Sequence, residues 1–252
     1  MLDSANRPGR PAEHRSARAA LGRAAIALGV AACAFAVGCG IESRRDRQAG
    51  AEAAPGEAAA APAETRPFEW PRSDQPRPVV VLELKDRGDI RIALYPELAP
   101  RSVEAFRSLA SVGFYDGTTF HRVIPEFMIQ GGDPNTRDDD PRNDGQGGPD
   151  FRVPDEFSDA LHTRGTVSLA NKSQPNTSGS QFFIVQRNQP GLDGHYNVIG
   201  RVVDGMDIVD DIAQVETDLH GRWGPANRPI EDVVIEGVRF EEMDDGELHA
   251  AR

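Results

Sequence analysis

The residues of this 252-residue chain that could do chemistry are concentrated in one run, Phe120 to Asp133, which reads FHRVIPEFMIQGGD. The run combines a cation, Arg122, an amide, Gln130, and the apolar pair Phe127 and Met128, without an acid/base pair or a metal-ligand cluster. Because a guanidinium stays charged and only donates hydrogen bonds, Arg122 should either reach solvent or serve a cleft. On residue types alone, the simpler interpretation of the run is a core hairpin.

A second run, Gly165 to Val185, reads GTVSLANKSQPNTSGSQFFIV and adds a small residue, amides and paired aromatic side chains. Both runs resemble the signature segments of the cyclophilin-type peptidyl-prolyl cis-trans isomerases. The resemblance continues through Gly191 to Ile212 and extends from about Val79 to Phe240. It implies a mainly β fold, a closed eight-stranded antiparallel β-barrel capped by two α-helices, and an enzyme that accelerates rotation about X-Pro peptide bonds.

Rotation about an X-Pro bond breaks amide resonance, a barrier of about 18–20 kcal/mol, without making or cleaving a bond. A catalyst needs an apolar slot for the proline ring and well-placed donors, but no base. The resemblance implies that Arg122 is the catalytic donor to the prolyl nitrogen, that Gln130 holds the substrate backbone, and that Asn171 offers its backbone to the residue before proline. It assigns substrate binding to Phe127, Met128, Gln130, Ala170, Asn171, Gln181, Phe183, Leu192 and Tyr196.

The chain departs from the family pattern at two of these positions. Gly191 stands where the family often has tryptophan, and Tyr196 stands where a histidine is expected. A tyrosine keeps an aromatic wall with a polar tip, so catalysis should survive. The glycine puts the binding of cyclosporin-type drugs in doubt more than catalysis.

Short strands and two helices must position these residues. Alternating apolar residues predict a hairpin, a Pro-initiated pattern predicts a first helix, and a second helix follows the signature runs. The pattern indicates a mainly antiparallel closed sheet. The predicted strands are 80–84, 90–94, 119–123, 127–130, two within 165–185, 197–203 and 233–240, and the predicted helices are 100–113 and 206–212.

Other chemistry is not indicated. The polar run from Asn135 to Pro149 invites a calcium interpretation, but alignment on Asp140 places Arg142 and Phe151 at ligand positions, so a solvated surface loop is the better account. The six histidines fall in no metal-ligand spacing and are interpreted as ordinary surface or partly buried residues. Neither a metal nor a cofactor is expected.

The N-terminal region has the features of an export signal. Arginines precede an uncharged run from Ala24 to Gly38, and small residues stand directly before Cys39, which resembles the bacterial lipobox with Ala36 where leucine is usual. We therefore expect a lipoprotein signal at 1–38 and a lipidated Cys39; a soluble secreted protein, or no true signal, is the alternative. Cys33 would leave with the signal, so no internal disulfide is expected.

The flanks of the isomerase-like region, 79–242, are expected to be disordered. Residues 39–78 are rich in Ala, Pro and Glu, which predicts a disordered tether. Residues 243–252 are predicted to form a disordered acidic tail. Phe68 and Trp70 interrupt the tether and either dock on the domain or stay disordered.

The expected function is isomerisation of X-Pro bonds in exported or envelope proteins, which assists their folding. The alternative is a non-catalytic module that binds proline-containing segments as a chaperone or scaffold. We expect a monomer in the cell envelope or periplasm, anchored to a membrane through its lipid. The net charge of -12 argues against nucleic acid as a partner.

Overall fold

The structure is a computed structural model that describes residues 68–250. The strands are β1 Arg77–Leu84, β2 Gly88–Leu94, β3 Arg122–Ile124, β4 Met128–Gly131, β5 Thr166–Leu169, β6 Phe182–Val185, β7 Val198–Asp204, β8 Thr217–Asp218, β9 Arg228–Pro229 and β10 Ile235–Met243. The helices are α1 Pro100–Ser111, α2 Met206–Ala213 and α3 Asp245–Ala250. The predicted signal, Cys39 and most of the predicted tether lie outside the described residues. No helix within 68–250 is long and apolar enough to cross a membrane.

Eight of the strands form one antiparallel sheet in the order β10-β1-β2-β7-β5-β6-β4-β3, while β8 and β9 form a separate two-stranded ribbon. The predicted first hairpin is confirmed, because Val80 faces Ile92 and Leu84 faces Gly88 across the turn. Branched apolar side chains from this hairpin enter the main core, where Val80, Leu82 and Ile92 are fully buried. The mainly β, eight-stranded antiparallel architecture is therefore confirmed.

The barrel is not closed by strand pairing, because β10 and β3 are the two edges of the sheet. Backbone hydrogen bonds nevertheless join the segment before β3 to the start of β10 and the residues just before it. The Phe120 N–H donates to the Val233 carbonyl at 3.0 Å, and the Ile235 N–H donates to the Thr118 carbonyl at 2.8 Å. The prediction of a closed barrel is thus met only in its coarser part, the eight antiparallel strands.

The first helix, α1, is anchored by a carboxylate from a distant loop. Its N-cap residue makes no side-chain capping bond, and Glu156 supplies the missing acceptor to the N–H groups of Arg101 at 3.1 Å and Ser102 at 2.8 Å. A negative group at this end also favours the helix dipole. The apolar stripe predicted from the sequence, which includes Val103 and Phe106, is buried in the main core. The same hydrogen bonds hold the loop that carries Glu156 against the first turn of α1.

The second helix, α2, begins where the sequence predicts, directly after Gly205. This residue has φ of 88°, and a Cβ on it would lie 2.5 Å from the Asp89 carbonyl oxygen. Only glycine fits such a turn, because a side chain would be strained and would also collide with β2. Val209 and Ile212 then bury the inner face of the helix.

Both flanks of the domain are ordered further than the sequence predicts. Trp70 packs on Tyr95 with ring centroids 4.6 Å apart, so the docked alternative for this aromatic is the observed one. At the other end, residues 245–250 form α3 instead of a disordered tail, and Leu248 is fully buried. The outer face of β1 and β2 presents an apolar patch that includes Val79 and Val81, and one apolar residue from each flank packs on it. Because so few residues make this contact, the average composition of the flanks does not predict that they are ordered.

One buried arginine connects these flanks. Arg77 is 2% exposed, and its Nη1 donates to both carboxylate oxygens of Glu97, at 3.0 and 2.9 Å. Its Nε lies 3.4 Å from Asp245 Oδ1, and its Nη2 donates to the Pro71 carbonyl at 2.7 Å. The guanidinium also lies over the Tyr95 ring, 4.1 Å from its centroid. A charge so buried is tolerated because every face of it has a partner.

The polar loop at 135–149 is only partly a surface loop. Asp140 is bound by the Arg142 side chain at 2.7 and 3.0 Å, so its carboxylate is already satisfied. Asp144 turns inward, is 2% exposed, and accepts a hydrogen bond from Arg228 Nε at 2.7 Å. Within residues 68–250, no group of three or more His, Cys, Asp or Glu side chains could hold a metal ion.

Candidate active site

The site is built around the hairpin formed by β3 and β4. In its register Arg122 faces Gln130, which puts both side chains on one face of the sheet, and Arg122 Nη1 donates to Gln130 Oε1 at 3.3 Å. The turn between the strands is tight, with Glu126 at φ of 63° and its N–H donating to Gln186 Oε1 at 2.7 Å. The hairpin thus presents a cation and an amide side by side.

A chain of amides holds this pair in place. Gln130 Nε2 donates to Gln181 Oε1 at 3.0 Å, and Gln181 Nε2 donates to the carbonyls of Gly145 at 3.0 Å and Gly147 at 2.9 Å. Because an amide nitrogen carries two N–H groups, Gln130 keeps one donor for a ligand. Side chains fixed in this way are preorganised and lose little freedom when a ligand binds.

An apolar wall stands beside the polar pair. Met128 and Phe183 are almost fully buried and form a small core of their own with Val185. The Tyr196 ring meets Phe183 edge to face, with centroids 5.2 Å apart and planes at 85°. The partly buried residues that pack on this small core are Ile124, Phe127, Ala170, Leu192 and Tyr196.

The wall is backed by His162, for which the sequence predicts only an ordinary surface or partly buried histidine. Its ring lies nearly parallel to Phe183, with centroids 5.9 Å apart. Its Nδ1 lies 3.0 Å from Asp193 Oδ1, and its Nε2 lies 3.0 Å from Ser168 Oγ. Burial lowers the pKa of His162, although the Asp193 carboxylate opposes the shift. The neutral ring therefore donates through Nδ1 and holds the aromatic wall in position; no sequence spacing predicts this contact.

These groups line one cavity of about 280 Å³, which we call the substrate cavity. It brings together every residue predicted for catalysis or substrate binding except Gln181, which lies in the amide chain and lines a separate cavity with Gln130. It also includes Ser173, a loop residue that the sequence does not single out, because a serine in a polar loop carries no specific signal. The residues lining the substrate cavity are Arg122, Phe127, Met128, Gln130, Ala170, Asn171, Ser173, Phe183, Leu192 and Tyr196.

Asn171 lies at the rim with its side chain occupied and its backbone available. Its Nδ2 donates to the His195 carbonyl at 3.0 Å, and its Oδ1 accepts from the Ser173 N–H at 3.0 Å. The N–H and carbonyl of Asn171 itself have no hydrogen-bond partner within the described part of the chain. An extended peptide could therefore pair with this residue as with the edge of a sheet.

Arg122 is the electrostatic centre of the cavity. It is half-buried, and burial lowers the pKa of its guanidinium without removing its charge. No carboxylate in residues 68–250 forms an ion pair with it, in contrast to Arg77 and Arg228. The cavity thus combines a cation that has unused donors with an apolar wall, and no general base stands among its lining residues. Such a site can grip an apolar ring and polarise an atom beside it.

Comparison with known proteins agrees with this geometry. The family model for the cyclophilin type peptidyl-prolyl cis-trans isomerase matches residues 79–240. A putative peptidyl-prolyl cis-trans isomerase of Staphylococcus aureus is 38% identical over 189 residues, covering 62% of this chain and 89% of the relative. A peptidyl-prolyl cis-trans isomerase of Arabidopsis thaliana is 40% identical over 156 residues, covering 60% of this chain and 89% of the relative.

Solved structures lead to the same family. The cyclophilin type peptidyl-prolyl cis-trans isomerase of Cryptosporidium parvum superposes with a TM-score of 0.58 at 29% identity, covering 66% of this chain and 98% of that one. A second crystal structure of the same isomerase, obtained in the presence of the dipeptide Ala-Pro, superposes with a TM-score of 0.57. The chain therefore belongs to the cyclophilin-type peptidyl-prolyl cis-trans isomerases, enzymes that rotate X-Pro peptide bonds.

Proposed function

We propose that the substrate cavity is where this isomerase acts and that Arg122 is its catalytic residue. The observation that carries the proposal is a half-buried guanidinium with unused donors beside an apolar slot. As the X-Pro bond twists, the prolyl nitrogen leaves resonance and regains a lone pair, which is an acceptor that neither planar state offers. A donor fixed at this nitrogen stabilises the twisted state selectively and lowers the barrier.

The other lining residues hold the substrate in register. The proline ring lies against Phe127, Met128, Phe183, Leu192 and Tyr196. The remaining N–H of Gln130 donates to a substrate carbonyl, and the backbone of Asn171 pairs with the residue before proline. Ala170 and Gln181 complete the groove. The structure obtained with Ala-Pro for the isomerase of Cryptosporidium parvum supports a proline-containing polypeptide as the ligand class.

The test compares Arg122→Ala and Arg122→Lys with the unmodified protein. A charge-assisted hydrogen bond is worth about 1.5–3 kcal/mol, so the rate constant should fall roughly tenfold to a hundredfold in Arg122→Ala while peptide affinity changes much less. Lysine should rescue poorly, because one mobile ammonium cannot reproduce the planar guanidinium. The assay follows isomerisation of an Ala-Pro peptide, and affinity for the same peptide is measured separately.

Arg107, an exposed arginine of α1, provides the matched control, and Arg107→Ala should leave both rate and affinity unchanged. Equal losses of rate and affinity in Arg122→Ala would favour the alternative of a binding module. An unchanged rate would remove Arg122 from the mechanism.

We also propose that the protein is exported, lipidated at Cys39 and tethered to a membrane of the cell envelope, where it acts as a monomer on exported proteins and assists their folding. The sequence features of residues 1–39 support this placement. Two acyl chains give a stable anchor where one gives marginal binding. Intact-mass measurement of the protein from its native host tests the proposal, and a retained Met1 or an unmodified Cys39 would contradict it.

We also propose that the eight-stranded sheet closes into a barrel. We infer that the edges of the sheet are joined in solution through the backbone bonds at Thr118 and Phe120, with α1 and α2 covering the two ends. Amide hydrogen exchange at Phe120 and Ile235 should then be as slow as in the central strands. Exchange as fast as in the exposed turns would show an open edge.

A further inference from the structure

A second cavity, of about 410 Å³, adjoins the substrate cavity, and we call it the side cavity. The two lie side by side, because four residues line both of them. The shared residues are Asn171, Ser173, Leu192 and Tyr196, and beyond them the side cavity extends to Phe157 and Pro175. The side cavity is therefore within reach of a side chain next to the part of a ligand that the substrate cavity holds.

Phe157 is the aromatic wall of the side cavity, and it is largely unpacked for a phenylalanine. Its side chain is 47% exposed, and it belongs to none of the apolar clusters formed by residues 68–250. A single exposed apolar residue is common on a protein surface. What distinguishes Phe157 is its position, because it lines a cavity that shares four lining residues with the candidate active site.

The backbone on the N-terminal side of Phe157 is firmly held. Glu156 donates its N–H to the buried Asn197 Oδ1 at 2.7 Å and binds the first turn of α1 through its carboxylate. Asp155 and Asn176 exchange two hydrogen bonds between backbone N–H and side-chain oxygen, each 3.0 Å long. The ring is thus presented by rigid backbone, which reduces the entropy that a ligand must pay on contacting it.

The side cavity is open at Gly191 because this residue contributes no side chain. A Cβ placed on Gly191 would meet no atom of the described residues within 4 Å. The space beside Leu192 is therefore free for a ligand, and Leu192, Tyr196 and Phe157 offer it apolar surface. Asp155 lines the same cavity and disfavours an acidic side chain there.

We infer that the side cavity is a specificity subsite that accepts a large apolar side chain from a residue flanking the proline of the substrate. The inference rests on the proposed function, because it takes the substrate cavity as the place where the proline binds. Phe157 is then a specificity-determining residue, and it has no part in the rotation step. Substrates with a bulky apolar neighbour gain contact with Phe157, Leu192 and Tyr196, whereas those with alanine leave the side cavity to water.

The experiment measures kcat/KM for two pairs of proline peptides. One pair has phenylalanine or alanine immediately before the proline, and the other has them immediately after it. At one of these positions the unmodified protein should prefer phenylalanine by about twofold to tenfold, the range of an aromatic contact. In Phe157→Ala this ratio should fall to about one, and Phe157→Leu should keep part of it.

Phe151 provides the matched control, because it is 44% exposed, lies on the same loop and lines neither cavity. Phe151→Ala should keep both the ratio and the activity. Partial unfolding of Phe157→Ala would lower kcat/KM for both peptides of a pair alike and leave the ratio intact, so the ratio isolates the subsite. A ratio of one at both positions in the unmodified protein, or an unchanged ratio in Phe157→Ala, overturns the inference. Failure of the proposed function appears separately, as full activity in Arg122→Ala.

Discussion

Lowering the pH should destabilise this protein through His121, a histidine that is 2% exposed and adjoins Arg122 in the chain. Burial lowers its pKa from 6.5 to about 4, although the Asp133 carboxylate opposes the shift. Among residues 68–250, neither ring nitrogen has a hydrogen-bond partner of acceptable geometry, even though the Thr119 backbone and the Gln181 side chain lie close enough to contribute weakly. The folded protein therefore keeps this ring neutral at a pH where the unfolded chain protonates it.

The sign of the effect follows from proton linkage. Because the pKa of His121 is lower in the folded state, the unfolded state binds more protons between pH 6.5 and pH 4, and stability falls as the pH falls through this window. One unit of pKa difference is worth about 1.4 kcal/mol, so the whole effect is about 3 kcal/mol, of which about 2 kcal/mol is lost between pH 8 and pH 5. That loss corresponds to a fall in Tm of about 4–8 °C for a domain of this size.

The assay is thermal unfolding from pH 8 to pH 5 of the unmodified protein and of His121→Asn, which cannot titrate in this range. The variant should show a pH dependence that is weaker by about 2 kcal/mol, whatever its stability at pH 8. His162, whose pKa burial also lowers, is present in both proteins and cancels in the comparison. His220→Asn, at an exposed position, should retain the full pH dependence. Identical pH profiles for His121→Asn and the unmodified protein would refute the reasoning.

Two further predictions concern the flanks and the drug-binding surface. Arg77→Ala should lower the free energy of unfolding, measured by thermal unfolding, by about 2–4 kcal/mol. This is below the upper range for buried ion pairs because Glu97 is partly exposed. Arg87→Ala, in an exposed turn, should change the stability little. Unchanged stability of Arg77→Ala would show that the flanks do not support the domain. Cyclosporin-type ligands should inhibit the unmodified enzyme weakly and Gly191→Trp more strongly, because an indole supplies contact area and an N–H donor. The larger side chain has room, since a Cβ at this position meets no atom of residues 68–250 within 4 Å. Inhibition assays decide this, and potent inhibition of the unmodified protein would contradict the prediction.

Local patterns in the sequence predicted the eight strands of the main sheet and the helices α1 and α2, but not α3 or the β8–β9 ribbon. Alternation and helical spacing predicted the first hairpin, α1 and α2, because these patterns reflect which face of an element meets the core. The two signature runs contain most residues of the substrate cavity, and the hairpin register brings Arg122 opposite Gln130, whereas Leu192 and Tyr196 come from the stretch that follows. The roles within that cavity came from resemblance to a family, because residue types alone suited a core hairpin equally well.

The remaining features depend on contacts between residues far apart in the chain. Arg77 meets Asp245 across 168 positions, and the Trp70 and Leu248 side chains bury themselves on a patch that exists only after the sheet has formed. A polar or charged flank reads as disordered when averaged over composition, because one buried side chain barely changes the average.

The same reason explains what the sequence missed at the site. His162 supports Phe183 because Asp193 and Ser168 hold its ring in place. Phe157 forms the wall of the side cavity because the backbone of Glu156, its neighbour in the chain, is anchored to Asn197. Whether a histidine is titratable, or a phenylalanine is free to meet a ligand, is decided by desolvation and by neighbours, which are properties of the folded chain. The sequence by itself determined the eight strands of the main sheet, the helices α1 and α2, and the chemistry available. The tertiary structure decided the β8–β9 ribbon and α3, and it decided which side chains are buried, which are held and which remain open to a substrate.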